Sequence, residues 1–120
     1  MKTKRFIMVI MAAAIFGAGL LAQTQDQKTS ATQKTETIKV WGNCNMCKTR
    51  IEKAAKAEGV ARAEWNKDTK MLTLVYIPSA VSSDAIQKRI AAVGHDTEKF
   101  RADDQVYNSL DACCHYERKK

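Results

Sequence analysis

Two thiols with two residues between them, Cys44 and Cys47, are the side chains of this sequence best placed to do chemistry, and an adjacent pair, Cys113-Cys114, precedes His115. Ionised sulfur is both a nucleophile and a soft ligand, so such residues either hold a soft metal ion or exchange disulfides. Their surroundings decide how readily they ionise. Ile38-Lys39-Val40-Trp41 alternates as a half-buried strand does, Gly42-Asn43 reads as a turn, and Thr49 to Glu58 has the spacing of an amphipathic helix. Cys44 and Cys47 therefore belong on a loop that closes onto a helix N-terminus, where unpaired N–H groups and the positive end of the helix dipole favour thiolate. A Cys44–Cys47 bridge would close a very short ring and a Cys113–Cys114 bridge would be strained. Pairing between the two clusters remains open as a disulfide alternative; it would make the protein redox-responsive, because oxidation removes the thiolates a metal needs.

The elements that must position these groups follow from periodicity. The expected order is strand Thr37–Trp41, helix Lys48–Glu58, strand Val60–Asn66, strand Lys70–Ile77, helix Ser83–Val93 and a last strand near Asp96–Arg101. Asn66-Lys67-Asp68-Thr69 forms the central turn and Pro78 ends the third strand. Ser82 or Ser83 caps the second helix, Ile86, Ile90 and Val93 share its apolar face, and Gly94 stops it; Ile51, Ala54 and Ala55 supply the matching stripe on the first. The expected fold class is thus α+β: a ferredoxin-like βαββαβ sandwich, with two helices on one face of a four-stranded antiparallel sheet, plus a cysteine-containing C-terminal tail. Tyr107 to Leu110 reads as a helical turn folding that tail back, Asp103-Asp104 as a solvated loop, and Trp41 and Trp65 as core residues. A core built from so short a segment is only modestly stable by size.

The 120 residues leave room for one domain. A basic start, an apolar run from Phe6 to Leu21 and Leu20-Leu21-Ala22 before Gln23 read as a secretory signal over 1–22; an uncleaved anchor is the lesser alternative, because the run is shorter than the roughly 20 apolar residues that span a bilayer. Residues 23–35, rich in Gln, Thr, Lys and Ser, read as a flexible linker, 36–102 as the folded domain and 103–120 as an extension. The expected location is periplasmic or secreted, with no stable membrane insertion after cleavage. The formal charge is +7, but Lys2, Lys4 and Arg5 lie in the signal, and no basic run is interleaved with aromatics apart from the short Arg118-Lys119-Lys120 tail, so nucleic acid is not an expected partner. No Ser-His-Asp set, paired carboxylates or phosphate-cradling glycine loop points to an enzyme.

From about Glu36 to Arg101, the element order and the Cys-x-x-Cys pair in the first loop resemble the heavy-metal-associated domain, the family of small copper metallochaperones, of the N-terminal domains of copper-transporting P-type ATPases and of the periplasmic mercury-binding protein. The resemblance implies that Cys44 and Cys47 bind one soft ion, usually Cu(I), at the end of the sheet. It also places the Gly94-His95 loop near that ion, where His95 either offers a neutral imidazole as a third ligand or contacts the site from behind its ligands, or else is simply a histidine of a surface loop. The chain departs from the family's Gly-Met-x-Cys pattern: Gly42-Asn43-Cys44 is one residue shorter and lacks the methionine, while Met46 stands inside the pair, either reaching the ion or packing into the core. The tail bearing Cys113, Cys114 and His115 is a further departure: one of its thiolates with His115 either completes the site or forms a second one, or the cysteines staple the tail as a disulfide or are buried as small hydrophobes.

The resulting expectation is an exported, non-enzymatic protein that binds Cu(I), or else Hg(II), Ag(I), Zn(II) or Cd(II), for transfer or sequestration. An open thiolate site lets a partner's thiolate attack, so a metal-transporting ATPase or another metal-accepting protein is the expected partner, and two such sites completing one another would give a metal-bridged homodimer. The alternative is a thiol–disulfide oxidoreductase, since Cys-x-x-Cys at a helix start is also the thioredoxin arrangement, although Pro78 does not obviously fill that family's proline position. A protein-binding module with permanently oxidised cysteines is the third reading.

Overall fold

A computed structural model describes residues 32–120; the expected signal over 1–22 and residues 23–31 of the expected linker lie outside the described residues. Strand β3 (Met71–Tyr76) buries Leu72, Leu74 and Tyr76 on one face, the period-2 signature of a sheet covered on one side. It is the central strand. β1 (Lys34–Lys39) and β2 (Val60–Trp65) flank it antiparallel in the order β1-β3-β2, and the register sets Ile38, Leu72 and Trp65 in one row across the sheet. At the β2–β3 turn Asn66 Oδ1 accepts from the N–H groups of Asp68 and Thr69 at 2.8 and 3.0 Å, and Lys70 takes the left-handed conformation at φ 63°.

Helix α1 (Asn45–Ala55) lays Cys47, Ile51 and Ala55 onto this face, and α2 (Ser83–Ala92) adds Ile86 and Ile90 to the same core. Ser82 caps α2 by accepting from the Ala85 N–H at 3.0 Å, and Gly94, at φ 105°, terminates it. α1 begins three residues earlier than periodicity suggests, because Cys44 takes the extended N-cap position and Asn45 to Cys47 form the first turn. Val93 lies at the C-cap of α2 and is only partly buried. Trp65 is fully buried, whereas Trp41 is half-exposed with the Lys39 and Lys119 ammonium groups over its ring.

The expected fourth strand is not formed. Among the described residues the sheet has three strands, and the segment after Gly94 meets it only through an isolated Val40–Thr97 bridge, with the Trp41 N–H donating to the Asp96 carbonyl at 2.9 Å. The polar groups of 96–101 are taken elsewhere. Thr97 and Phe100 bond to one another, and the fully buried Asp96 carboxylate accepts from the Ala102 N–H at 2.7 Å, from Arg118 Nη2 at 2.8 Å and from the Lys119 N–H at 3.2 Å. The C-terminal tail thus competes with a ladder for this segment.

The tail itself is ordered against the domain. Asp103 caps a short helix, α3 (Asp104–Asn108), Leu110 packs against Gly94, and a 3-10 turn at Ala112–Cys114 brings Cys114 into the core cluster. Buried Tyr116 accepts from the Asp96 N–H at 2.9 Å and donates to the Gly94 carbonyl at 2.7 Å, while Arg118 pairs with both Asp96 and Asp104. Asp103 and Asp104 are therefore a cap and an ion-pair partner rather than a purely solvated loop.

Candidate metal centre

Three segments converge where β1 hands over to α1. Val40 and Trp41 run out of the sheet into Gly42, whose α-carbon sits against the Trp65 ring and Cys47; an added Cβ would come within 3.0 Å of the indole. A side chain there would press on the indole and on Cys47, so the loop passes this close most easily at a glycine. Cys44, half-buried, occupies the N-cap of α1 without a side-chain cap bond, so its sulfur remains available. Cys47 points into the core from the first turn, and the Asn43 N–H donates to its sulfur at 3.4 Å. From the far end of the chain the 3-10 turn supplies buried Cys114.

Cys44 Sγ lies 3.5 Å from Cys47 Sγ and 3.6 Å from Cys114 Sγ, and the three sulfurs are all within 4.8 Å of one another. Sulfurs bound about 2.3 Å from one shared ion stand roughly 4 Å apart, so this set fits a single soft cation with little rearrangement. It brings together the loop pair and one of the tail cysteines. Cys113 is exposed at the rim, 3.8 Å from Cys44 Sγ, 3.9 Å from Cys114 Sγ and 3.5 Å from the sulfur of Met46. Met46 is 47% exposed, so it does not serve as a core pivot.

The electrostatics differ from thiol to thiol. Burial opposes ionisation of Cys44, but the Cys47 N–H and the thiols of Cys47, Cys114 and Cys113 outweigh it and lower its pKa to about 7. Burial pushes Cys47 up to about 12, and the contact with Cys44 together with some desolvation raises Cys113 to about 11. Arg50 Nη1 donates to Cys114 Sγ at 3.3 Å while its other nitrogen faces Asp111 at 3.9 Å. A guanidinium so placed offsets the negative charge that several thiolates around one monovalent cation would accumulate.

His95 lies outside the close set. Its ring is fully buried and stacked on Tyr116 at 5.4 Å, with Nδ1 2.9 Å from the Trp41 carbonyl. A carbonyl only accepts, so Nδ1 carries the proton and Nε2 is left as a buried lone pair with no partner in the protein. Burial lowers its pKa to about 4, which keeps the imidazole neutral. His115 is exposed and its ring rests on Tyr107 at 5.2 Å; its carbonyl accepts from Asn43 Nδ2 at 3.3 Å and so ties the tail to the cysteine loop. Sequence reasoning missed Arg50, Asn43 and Tyr116. Arg50 was accessible in principle, being three residues after Cys47 on the same helix face; the other two act through long-range contacts that no local spacing encodes.

No protein-family model matches the chain. Among curated proteins it is 41% identical over 68 residues to a zinc-transporting ATPase of Synechocystis, covering 55% of this chain and 9% of the transporter. It is 34% identical over 88 residues to a copper-exporting P-type ATPase of Staphylococcus saprophyticus, covering 60% of this chain and 11% of that one. The match thus spans only about a tenth of these transporters. Among solved structures, a CopZ metallochaperone superposes with a TM-score of 0.51 at 27% identity, over 53% of this chain and 98% of the chaperone. The N-terminal soluble domains of Bacillus subtilis CopA superpose with a TM-score of 0.53 at 33% identity, over 57% of this chain and 48% of theirs.

Proposed function

We propose, from the premise that this chain carries a heavy-metal-associated domain resembling those of copper metallochaperones, that it is a non-enzymatic soft-metal carrier that takes Cu(I) on Cys44, Cys47 and Cys114. The observation that carries this reading is the group of three sulfurs within 4.8 Å of one another. Cu(I) is satisfied by two or three soft ligands, whereas a structural Zn(II) site closes with four, and among the described residues no carboxylate joins this set. Hg(II) and Ag(I) suit the same sulfurs; Zn(II) and Cd(II) fit less well. Cys44 is the entry ligand, since it is partly exposed and its pKa is lowered to about 7, and buried Cys47 and Cys114 close around the ion afterwards.

Transfer requires an incoming thiolate to displace one ligand. Cys114, delivered by a tail rather than by the loop, is the ligand that withdraws first, and a metal-transporting ATPase or another thiolate-bearing acceptor is the partner whose chemistry fits. The third sulfur makes the protein hold its ion more firmly than a two-cysteine loop, so it buffers copper as well as passing it on. Export to the periplasm or beyond rests on the basic and apolar pattern of residues 1–22.

A second reading, thiol–disulfide exchange, is favoured by the contrast between a readily ionised Cys44 and a buried Cys47 pushed up to about 12. One titration separates the two. Reduced protein competing with a chromogenic chelator for Cu(I) takes up the metal tightly, the Cys44→Ser/Cys47→Ser variant loses more than about 100-fold in affinity, and Cys114→Ser loses about tenfold or more. Equal affinity in all three proteins overturns metal carriage and leaves the redox reading.

A further inference from the structure

Cys113 and Met46 are left over by a three-sulfur site centred on Cys44, Cys47 and Cys114, yet they do not lie apart from it. The Cys113 sulfur is 3.5 Å from the Met46 sulfur and 3.8 Å from Cys44 Sγ. Met46, instead of burying its side chain, is the exposed large hydrophobic among the described residues and places its thioether on a thiol. Three soft donors from two distant parts of the chain thus meet on the solvent side of the first site.

We propose that this protein binds a second Cu(I) within the same chain, held by Cys113, the Met46 thioether and a Cys44 thiolate that bridges both ions. The inference rests on the first ion occupying Cys44, Cys47 and Cys114. Cys44 is the natural bridge, because its sulfur is within 3.5 to 3.8 Å of all three other cysteine sulfurs. A thiolate has lone pairs enough to serve two soft cations, and a thioether is a ligand that selects Cu(I) over hard cations. The charge balance favours the second step. One Cu(I) on three thiolates leaves a net charge of about −2 beside the single Arg50 guanidinium; the second Cu(I) recruits one new thiolate, displacing the Cys113 proton to solvent, and adds no further charge. The S–S separations of 3.5 and 3.8 Å around it are those of sulfurs sharing one ion at about 2.3 Å each.

Native mass spectrometry of the reduced chain, titrated with Cu(I) as the probe in a competing buffer, tests this directly. The wild-type monomer is expected to fill in two steps, Cys113→Ser to stop at one ion, and Met46→Leu, which keeps the side-chain volume at an exposed position, to lose about tenfold in the second step only. The first step is expected to be unchanged in both variants. Saturation of wild type at one ion, a second ion that survives Cys113→Ser or is unaffected by Met46→Leu, or a second ion seen only in dimers overturns the proposal. Absence of any bound ion overturns instead the carrier reading on which it rests.

Discussion

Each cysteine of the site has a different task because each has a different environment. Cys44 sits at a helix N-cap among N–H and S–H donors and is lowered to about 7, whereas Cys47 is enclosed by the core and rises to about 12. Alkylation of the reduced, metal-free protein with iodoacetamide is therefore expected to modify Cys44 first, with a rate that climbs through pH 7, and to reach Cys113 on the order of tens of times more slowly at that pH; peptide mass spectrometry after short exposure reads the order, and simultaneous modification of all four thiols would contradict it. The loop pair was legible in the sequence because a Cys-x-x-Cys spacing at a strand-to-helix junction is local information. Cys114 was legible only as one candidate among Cys113, Cys114 and His115, since which of them faces the loop depends on how the 3-10 turn at Ala112–Cys114 enters the core. His95 was visible by position, but its bond to the Trp41 carbonyl and its stacking on Tyr116 were not.

Most elements could be read from periodicity, and the one that failed shows what periodicity leaves out. Asp96–Arg101 has a strand's length and position, yet Asp96 is a buried anion whose partners come from Ala102, Arg118 and Lys119, and satisfying it outweighs a short edge ladder. The Arg118 guanidinium and the N–H donors overcome burial and hold the Asp96 carboxyl below its ordinary value of 3.8. Asp96→Asn is expected to cost about 3 kcal/mol, because it leaves the nearly buried Arg118 without its main counter-ion; urea denaturation at neutral pH measures it, and a loss within experimental error would contradict this role. The pH dependence has a definite sign. His95 favours folding fully above about pH 6.5 and loses that contribution as the pH falls toward 4, because the unfolded imidazole takes up a proton that the buried one refuses. The Asp96 contribution is present above pH 3.8 and is lost as the pH falls below it. Metal-free protein is thus expected to weaken in two successive steps on acidification.

At the scale of the molecule, the C-terminal extension is what distinguishes this chain from a bare metal-binding domain. Residues 103–120 supply Cys114 to the site, Leu110 to the core, and Tyr116 and Arg118 to the segment that would otherwise be a fourth strand. On the proposed carrier reading stability and metal coordination are coupled: whatever holds Tyr116 and Arg118 in place also fixes the third sulfur, and an ion held by it would tether the tail and raise the stability of the fold. If the tail and the loop build one site, X-ray absorption of the reduced protein loaded with one equivalent of Cu(I) will count their sulfurs together. Three sulfurs at about 2.3 Å in the wild type, falling to two in Cys114→Ser, are the expected result; two sulfurs in both proteins would show that the tail cysteine takes no part and would contradict the account.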